Sequence, residues 1–148
     1  MIITKKRIIL ITFSVAYLIF FAFVVFQYAR TPRFIAFHAQ STLTKTVGET
    51  AFIVVDITNR TLEPLTSNDN FFLSYHLFST EGYMLQHDNV RSRIEYIPPG
   101  RRGPAILTVG PIDSPGQYIL EVDVLKEGAF WFGYRMNPRH RINLLVEE

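Results

Sequence analysis

The chain has 148 residues, room for one domain of ordinary size, with fifteen Lys/Arg, thirteen Asp/Glu and no cysteine. Without cysteine there is no disulfide framework, no thiolate nucleophile and no Cys-based metal site. Its pI near 9.0 reflects uneven placement: Lys5, Lys6, Arg7, Arg30 and Arg33 flank an apolar stretch, and every carboxylate lies beyond position 48. From Phe34 onward acids outnumber bases, which argues against a nucleic-acid partner.

In chain order, Ile8–Phe26 comes first, 19 positions without a charge. As a helix it measures about 28 Å, close to the hydrocarbon thickness of a bilayer. Tyr28 stands where an interfacial aromatic belongs. The segment ends Val24-Val25-Phe26-Gln27-Tyr28-Ala29-Arg30, with no small-residue cleavage site, so the expectation is a retained signal anchor. The basic flank places the N-terminus in the cytoplasm and the rest outside it, at a bacterial inner membrane. Phe13, Tyr17, Phe20 and Val24 recur at alternating four- and three-residue steps, one seam of a helix and a candidate contact within the membrane. Residues 1–33 are thus expected to form the stub, anchor and linker, and residues 34–148 the exported domain.

Thr31-Pro32 ends the helix, because the residue before proline is pushed out of the α region. Strands are predicted over Phe34–Gln40 and, after a Val47-Gly48-Glu49 turn, over Thr50–Thr58 with Ala51, Ile53, Val55 and Ile57 on one face. A polar connection through Pro64 and Ser67–Asn70 leads to a strand over Phe71–Ser79, with Phe71, Leu73, Tyr75 and Leu77 as its core set. Glu81-Gly82 turns the chain into Tyr83–His87, followed by strands around Val90–Ile94 and, past Pro98-Pro99-Gly100, over Ala105–Val109.

Pro115-Gly116 opens the strand on which the rest is organised, running to Leu125. Tyr118, Leu120, Val122 and Val124 point one way, into the core; Ile119, Glu121, Asp123 and Leu125 point to a mixed, outward face. Phe130–Tyr134, a Met136-Asn137-Pro138 turn and a strand over Arg141–Val146 close the chain. Short strands at this spacing predict an all-β fold, an immunoglobulin-like antiparallel β-sandwich of about eight strands.

Several of these stretches, in order, carry a resemblance: Leu73–Leu77, Asp88–Ile94, Pro98-Pro99-Gly100, Pro115–Tyr118 and Glu127–Phe132. Together they resemble an immunoglobulin-like module attached to bacterial glycosyltransferases and methyltransferases of surface-polysaccharide gene clusters, over roughly Val47–Phe132. The resemblance implies a non-catalytic β-sandwich accessory module, here joined to a membrane anchor in place of an enzyme domain.

No phosphate loop, His-Glu-x-x-His or Gly-x-Ser-x-Gly motif is present, and the four histidines lack metal-ligand spacing. No enzyme, cofactor or metal centre is therefore expected. His76 alternates out of the core and reads as a sheet-surface histidine, a candidate contact for a partner or glycan. Trp131 and Tyr134, in a dense aromatic run, suit a sugar-stacking platform or an interface anchor. Arg135, Arg139 and Arg141, with His140, form a compact basic group suited to an anionic partner. The expected function is that of an accessory or structural subunit of a larger integral membrane or envelope complex. The alternative is a membrane-anchored carbohydrate-binding module in surface-polysaccharide assembly.

Overall fold

The computed structural model describes residues 17–21, 34–135 and 139–148, with the side chain of Arg135 outside the described set. The chain divides into Met1–Pro32 and Arg33–Glu148. In the first unit Tyr17–Phe21 is helical, and among the described residues no helix is long and apolar enough to cross a membrane. Most of the expected anchor, including Phe13 and Val24 of its seam, lies outside the described residues, as does the Met136–Pro138 turn.

The second unit is a β-sandwich. Its strands among the described residues are β1 (Ile35–His38), β2 (Thr42–Thr46), β3 (Ala51–Asn59), β4 (Phe71–Ser79), β5 (Met84–Gln86), β6 (Ser92–Arg93), β7 (Arg102–Val109), β8 (Gly116–Lys126), β9 (Phe130–Trp131) and β10 (His140–Glu147). One sheet has the order β1-β3-β7 and the other β2-β10-β8-β4-β5, with β6 on β4 and β9 on β8. Apart from the edge strands, this division of strands between two sheets is that of the immunoglobulin sandwich. The strand opened by Pro115-Gly116 is β8, central in the larger sheet between β10 and β4.

Period-two alternation places the core where it is expected. Ile53, Val55 and Ile57 of β3 meet Leu73, Tyr75 and Leu77 of β4, with Leu120, Val122 and Val124 of β8 and Ile142, Leu144 and Val146 of β10. Burial of each such side chain contributes about 1.5–3 kcal/mol. Tyr75 sits at the centre, and its hydroxyl accepts the Gly110 N–H at 3.1 Å, which satisfies a polar group that water cannot reach. Asn59, fully buried at the end of β3, ties two loops together by donating to the carbonyls of Glu63 (2.9 Å) and Ile97 (2.8 Å).

Three elements differ from expectation. First, β2 is absent from the pattern reading because an inward position is filled by Lys45. Its buried ammonium donates to the Gly110 carbonyl at 2.7 Å, and burial lowers its pKa. Second, the sheet is not wholly antiparallel, since β2 runs parallel to β10. Third, Val90–Ile94 yields only the two residues of β6. The preceding loop is held instead by side chains: Asn89 donates to the Tyr75 carbonyl and Arg91 to the Asn89 carbonyl.

Candidate functional site

The outward face of β4 and β8 carries Ser74 and His76 on one strand and Asp123 and Glu121 on the other, paired in register as Ser74↔Asp123 and His76↔Glu121. In a two-sheet sandwich this face ordinarily meets water. Here all four side chains are buried, His76, Ser74 and Asp123 completely. The expected sheet-surface histidine and solvent-facing carboxylates are therefore corrected: the residues lie on the predicted face, but two loops cover it.

One cover is β9 and the 3-10 turn Phe132–Arg135; the other is His87–Arg91, after β5. Trp131 lies on His76 with ring centroids 4.4 Å apart, and the Arg91 guanidinium sits 5.7 Å over the indole. The His87 ring stacks on Tyr134 at 6.0 Å, and its Nε2 is 2.6 Å from the Tyr134 hydroxyl, closing one loop on the other. His76 Nδ1 lies 2.5 Å from the His87 carbonyl. That bond requires the proton on Nδ1, because a carbonyl oxygen only accepts. His76 Nε2 stands 3.8 Å from Asp123 Oδ2, beyond hydrogen-bond reach. It and Ser74 Oγ are buried side-chain atoms without a partner.

Asp123 anchors the cover. Its two carboxylate oxygens accept the Gly133 N–H at 3.0 and 2.9 Å, and Oδ1 also accepts the Val124 N–H at 2.8 Å. Glu121 holds the other end, accepting from Arg139 at 2.5 Å and from Arg141 at 2.7 and 2.9 Å. Burial pulls the Glu121 carboxyl up, the two guanidiniums outweigh it, and the group is held below the usual carboxylate range. Arg91 pairs with Asp88 and, at 2.9 Å, with Glu127, and so fastens the second loop to the turn before β9. Through this pair Asp88 is likewise held low.

Tyr134 is exposed and Trp131 half-buried. Of the basic group, Arg139 and Arg141 share the Glu121 carboxylate, and Arg139 also lies 5.1 Å over the Tyr134 ring. His76 is covered by the rings of Trp131, His87 and Tyr134. Tyr17 and Phe20 occupy a described helical turn, where Tyr17 stacks on Phe21. Sequence reasoning missed Gly133 and the pairing of Glu121 with Arg141. The second carried a readable signal, because Arg141 and Glu121 are direct cross-strand partners of β10 and β8. Among the described residues no group of three or more His, Asp or Glu is placed to hold a metal ion. What the arrangement provides is a closed, cross-braced cover.

No family model matches the chain, and no curated protein matches it. Solved structures do. The Pseudomonas fluorescens alkylpurine DNA glycosylase AlkC, bound to DNA containing an abasic site analogue, matches at 9% identity and a TM-score of 0.46, over 77% of this chain and 30% of that one. The chain thus spans under a third of the glycosylase. The C-terminal domain of wzt matches at 13% identity and 0.46, over 76% and 71%. A CARDB domain from Pyrococcus furiosus in complex with di-metal ions matches at 11% and 0.42, over 77% and 86%.

Outside the cover, the same sheet face carries an open groove of about 510 Å3 lined by Thr42, Thr44, Gln117, Ile119, Asn143 and Leu145 among others. On the opposite side of the sandwich, β3 and β7 turn Phe52, Val54 and Ile106 outward, 68%, 64% and 57% exposed. Val54 and Ile106 are direct cross-strand partners, and Phe52 is two residues along the same face.

The Glu121 pairing has a pH signature. Because the folded carboxyl lies below its ordinary value of 4.5, the stability it contributes is complete above that value and is lost as pH falls through the folded pKa. Glu121→Gln should cost about 1.5–3 kcal/mol at neutral pH, the range for hydrogen bonds to charged groups. It should also flatten the acid limb of stability against pH. Urea unfolding at several pH values checks this; parallel acid limbs for variant and wild type would contradict the assignment.

Proposed function

We propose that the protein is a non-enzymatic accessory subunit of a larger membrane or envelope complex, held at the membrane by its apolar N-terminal segment, with the sandwich presented outside the cytoplasm. The observation that carries this reading is the apolar patch of Phe52, Val54 and Ile106 on the outward face of β3 and β7. Those side chains are turned away from the core, and exposed apolar side chains grouped on one sheet face are the kind of surface a partner covers. The closed polar cluster under Trp131, on the other sheet, fits the same reading: its ion pairs and ring contacts brace two loops of the domain. The uncharged run Ile8–Phe26 supplies the tether.

Phe52→Glu combined with Val54→Lys should leave the melting temperature nearly unchanged, since exposed positions tolerate substitution within about 0.5 kcal/mol. The wild-type chain extracted in mild detergent should co-purify with a stoichiometric partner, and the same pair of substitutions should strip it away. Undiminished recovery of that partner would remove the patch from the argument.

A further inference from the structure

The larger sheet ends in an unguarded edge. Sheet edges are ordinarily protected by brevity, proline, charge or a covering segment. Here β5 has three residues and β1 four. β7 carries Pro104, and its Thr108 N–H is taken by Ser92 Oγ at 2.8 Å. Among the described residues β2 has none of these devices: its one charge, Lys45, is turned inward to the Gly110 carbonyl, and Thr42, Thr44 and Thr46 are exposed.

The hydrogen bonds show which backbone groups face the open side. The Ser41 carbonyl accepts from Asn143, and the Val47 N–H donates to the Glu147 carbonyl, so odd-numbered residues face β10. Even-numbered residues face away. Of these, Thr46 is already capped: its N–H donates to Glu49 Oε2 at 3.4 Å, and its carbonyl accepts the Glu49 N–H at 3.2 Å. Thr42 and Thr44 remain, offering two N–H and two C=O groups.

We propose that β2 pairs antiparallel with β2 of a second copy of this chain about a two-fold axis at Leu43. In an antiparallel ladder, residues that exchange both hydrogen bonds alternate with residues that exchange none. Placing Thr42 opposite the second copy's Thr44 makes four hydrogen bonds, spares the capped Thr46, and sets Leu43 against its own counterpart as a non-bonded pair. A two-fold axis on Thr44 would require Thr46 to give up its cap before it made as many bonds. Such an interface is self-complementary, as two-fold symmetry demands, and facing Thr–Thr pairs are favourable across strands.

Charge selects a second copy over an arbitrary strand. One end of this edge is acidic, with Glu49, Glu147 and Glu148; at the other, Arg139 and Arg141 share the single Glu121 carboxylate, which leaves that end with an excess positive charge. Antiparallel pairing lays each acidic end beside the other copy's basic end. The two larger sheets then run on as one, and the groove beside Thr42 and Thr44 continues across the axis.

The chain has no cysteine, so Leu43→Cys in the full-length, detergent-extracted protein reports on this contact alone. Non-bonded antiparallel pairs bring Cα atoms to about 4.5 Å, within the span a disulfide bridges. Mild oxidation should convert Leu43→Cys to a linked dimer well ahead of Leu85→Cys, a control on the exposed β5 edge. Equal rates would overturn the proposal. Light scattering of the wild type should give a protein mass twice 17.1 kDa, and a monomer mass would overturn it too. Thr44→Pro removes an outward N–H on an edge strand and should return the monomer with the melting temperature little changed. A Thr44→Pro variant that is folded and still dimeric would place the contact elsewhere, in the membrane segment for example, and sink the β2 assignment.

Discussion

Val122→Asp should leave no folded domain at any temperature. Val122 is fully buried on the inward face of β8, with Tyr75 of β4 and His140 of β10 as its register partners. The substitution removes an apolar side chain worth about 1.5–3 kcal/mol. It also introduces a carboxylate among Tyr75, Leu77, Leu120, Val124 and Ile142, where the half-buried His140 is the one basic side chain among its register partners. Burial of an unpaired polar or charged group belongs to the few mechanisms that exceed about 4–5 kcal/mol. Set against a net stability of about 5–15 kcal/mol for a domain, the two effects together are decisive. Circular dichroism and amide dispersion by NMR test this, with Val122→Ala as the control that stays folded and melts lower. A Val122→Asp variant with native dispersion would mean that β8 is not the strand on which the core closes.

The faces of β3, β4 and β8 were legible in the sequence because one side of each alternates apolar residues, and that period survives whatever packs above it. Ile53, Val55 and Ile57, then Leu73, Tyr75 and Leu77, fall inward as read. β2 was not legible, since its inward pattern is carried by one leucine and one lysine, and Lys45 becomes a core residue only through a carbonyl 65 positions away. The buried state of His76, Glu121 and Asp123 had no local signal at all. Alternation assigns a residue to a face; it is silent on whether loops from elsewhere cover that face, as Trp131 and His87 do here. Glu121 was readable in principle, because aligning β10 against β8 puts Arg141 directly opposite it. The sequence reading left the basic loop and the acidic strand as separate features, and so read Arg139 and Arg141 as available charges when they are the clasp of the cover.

Gly133→Ala should lift that cover, although position 133 is only half-buried. A Cβ at this position would meet Asp123 Oδ2 at 2.4 Å and Arg139 Nε at 2.5 Å, with Asp123 Cγ at 3.2 Å. Arg139 has room to move; Asp123 is short, fully buried and fixed by the very N–H that Gly133 offers it. The methyl group therefore evicts the 3-10 turn from its anchor and leaves a buried carboxylate with the Val124 N–H as its remaining donor. Breaking a buried charged contact costs about 3–5 kcal/mol, which corresponds to roughly 10–20 °C in melting temperature for a domain of this size. Trp131, the only tryptophan in the chain, rides on the turn, so its emission should shift to the red as water reaches the indole and His76. Limited proteolysis should open the chain after Gly128. A plain loss of glycine flexibility would act alike in any background, whereas the mechanism here runs through one partner, and a double-mutant cycle separates the two. With Asp123→Ala already in place, the anchor and the clash with it are gone, Arg139 can shift into the space vacated, and adding Gly133→Ala should cost little more. Fully additive losses would show that the glycine serves the backbone of the turn and not the approach of Asp123.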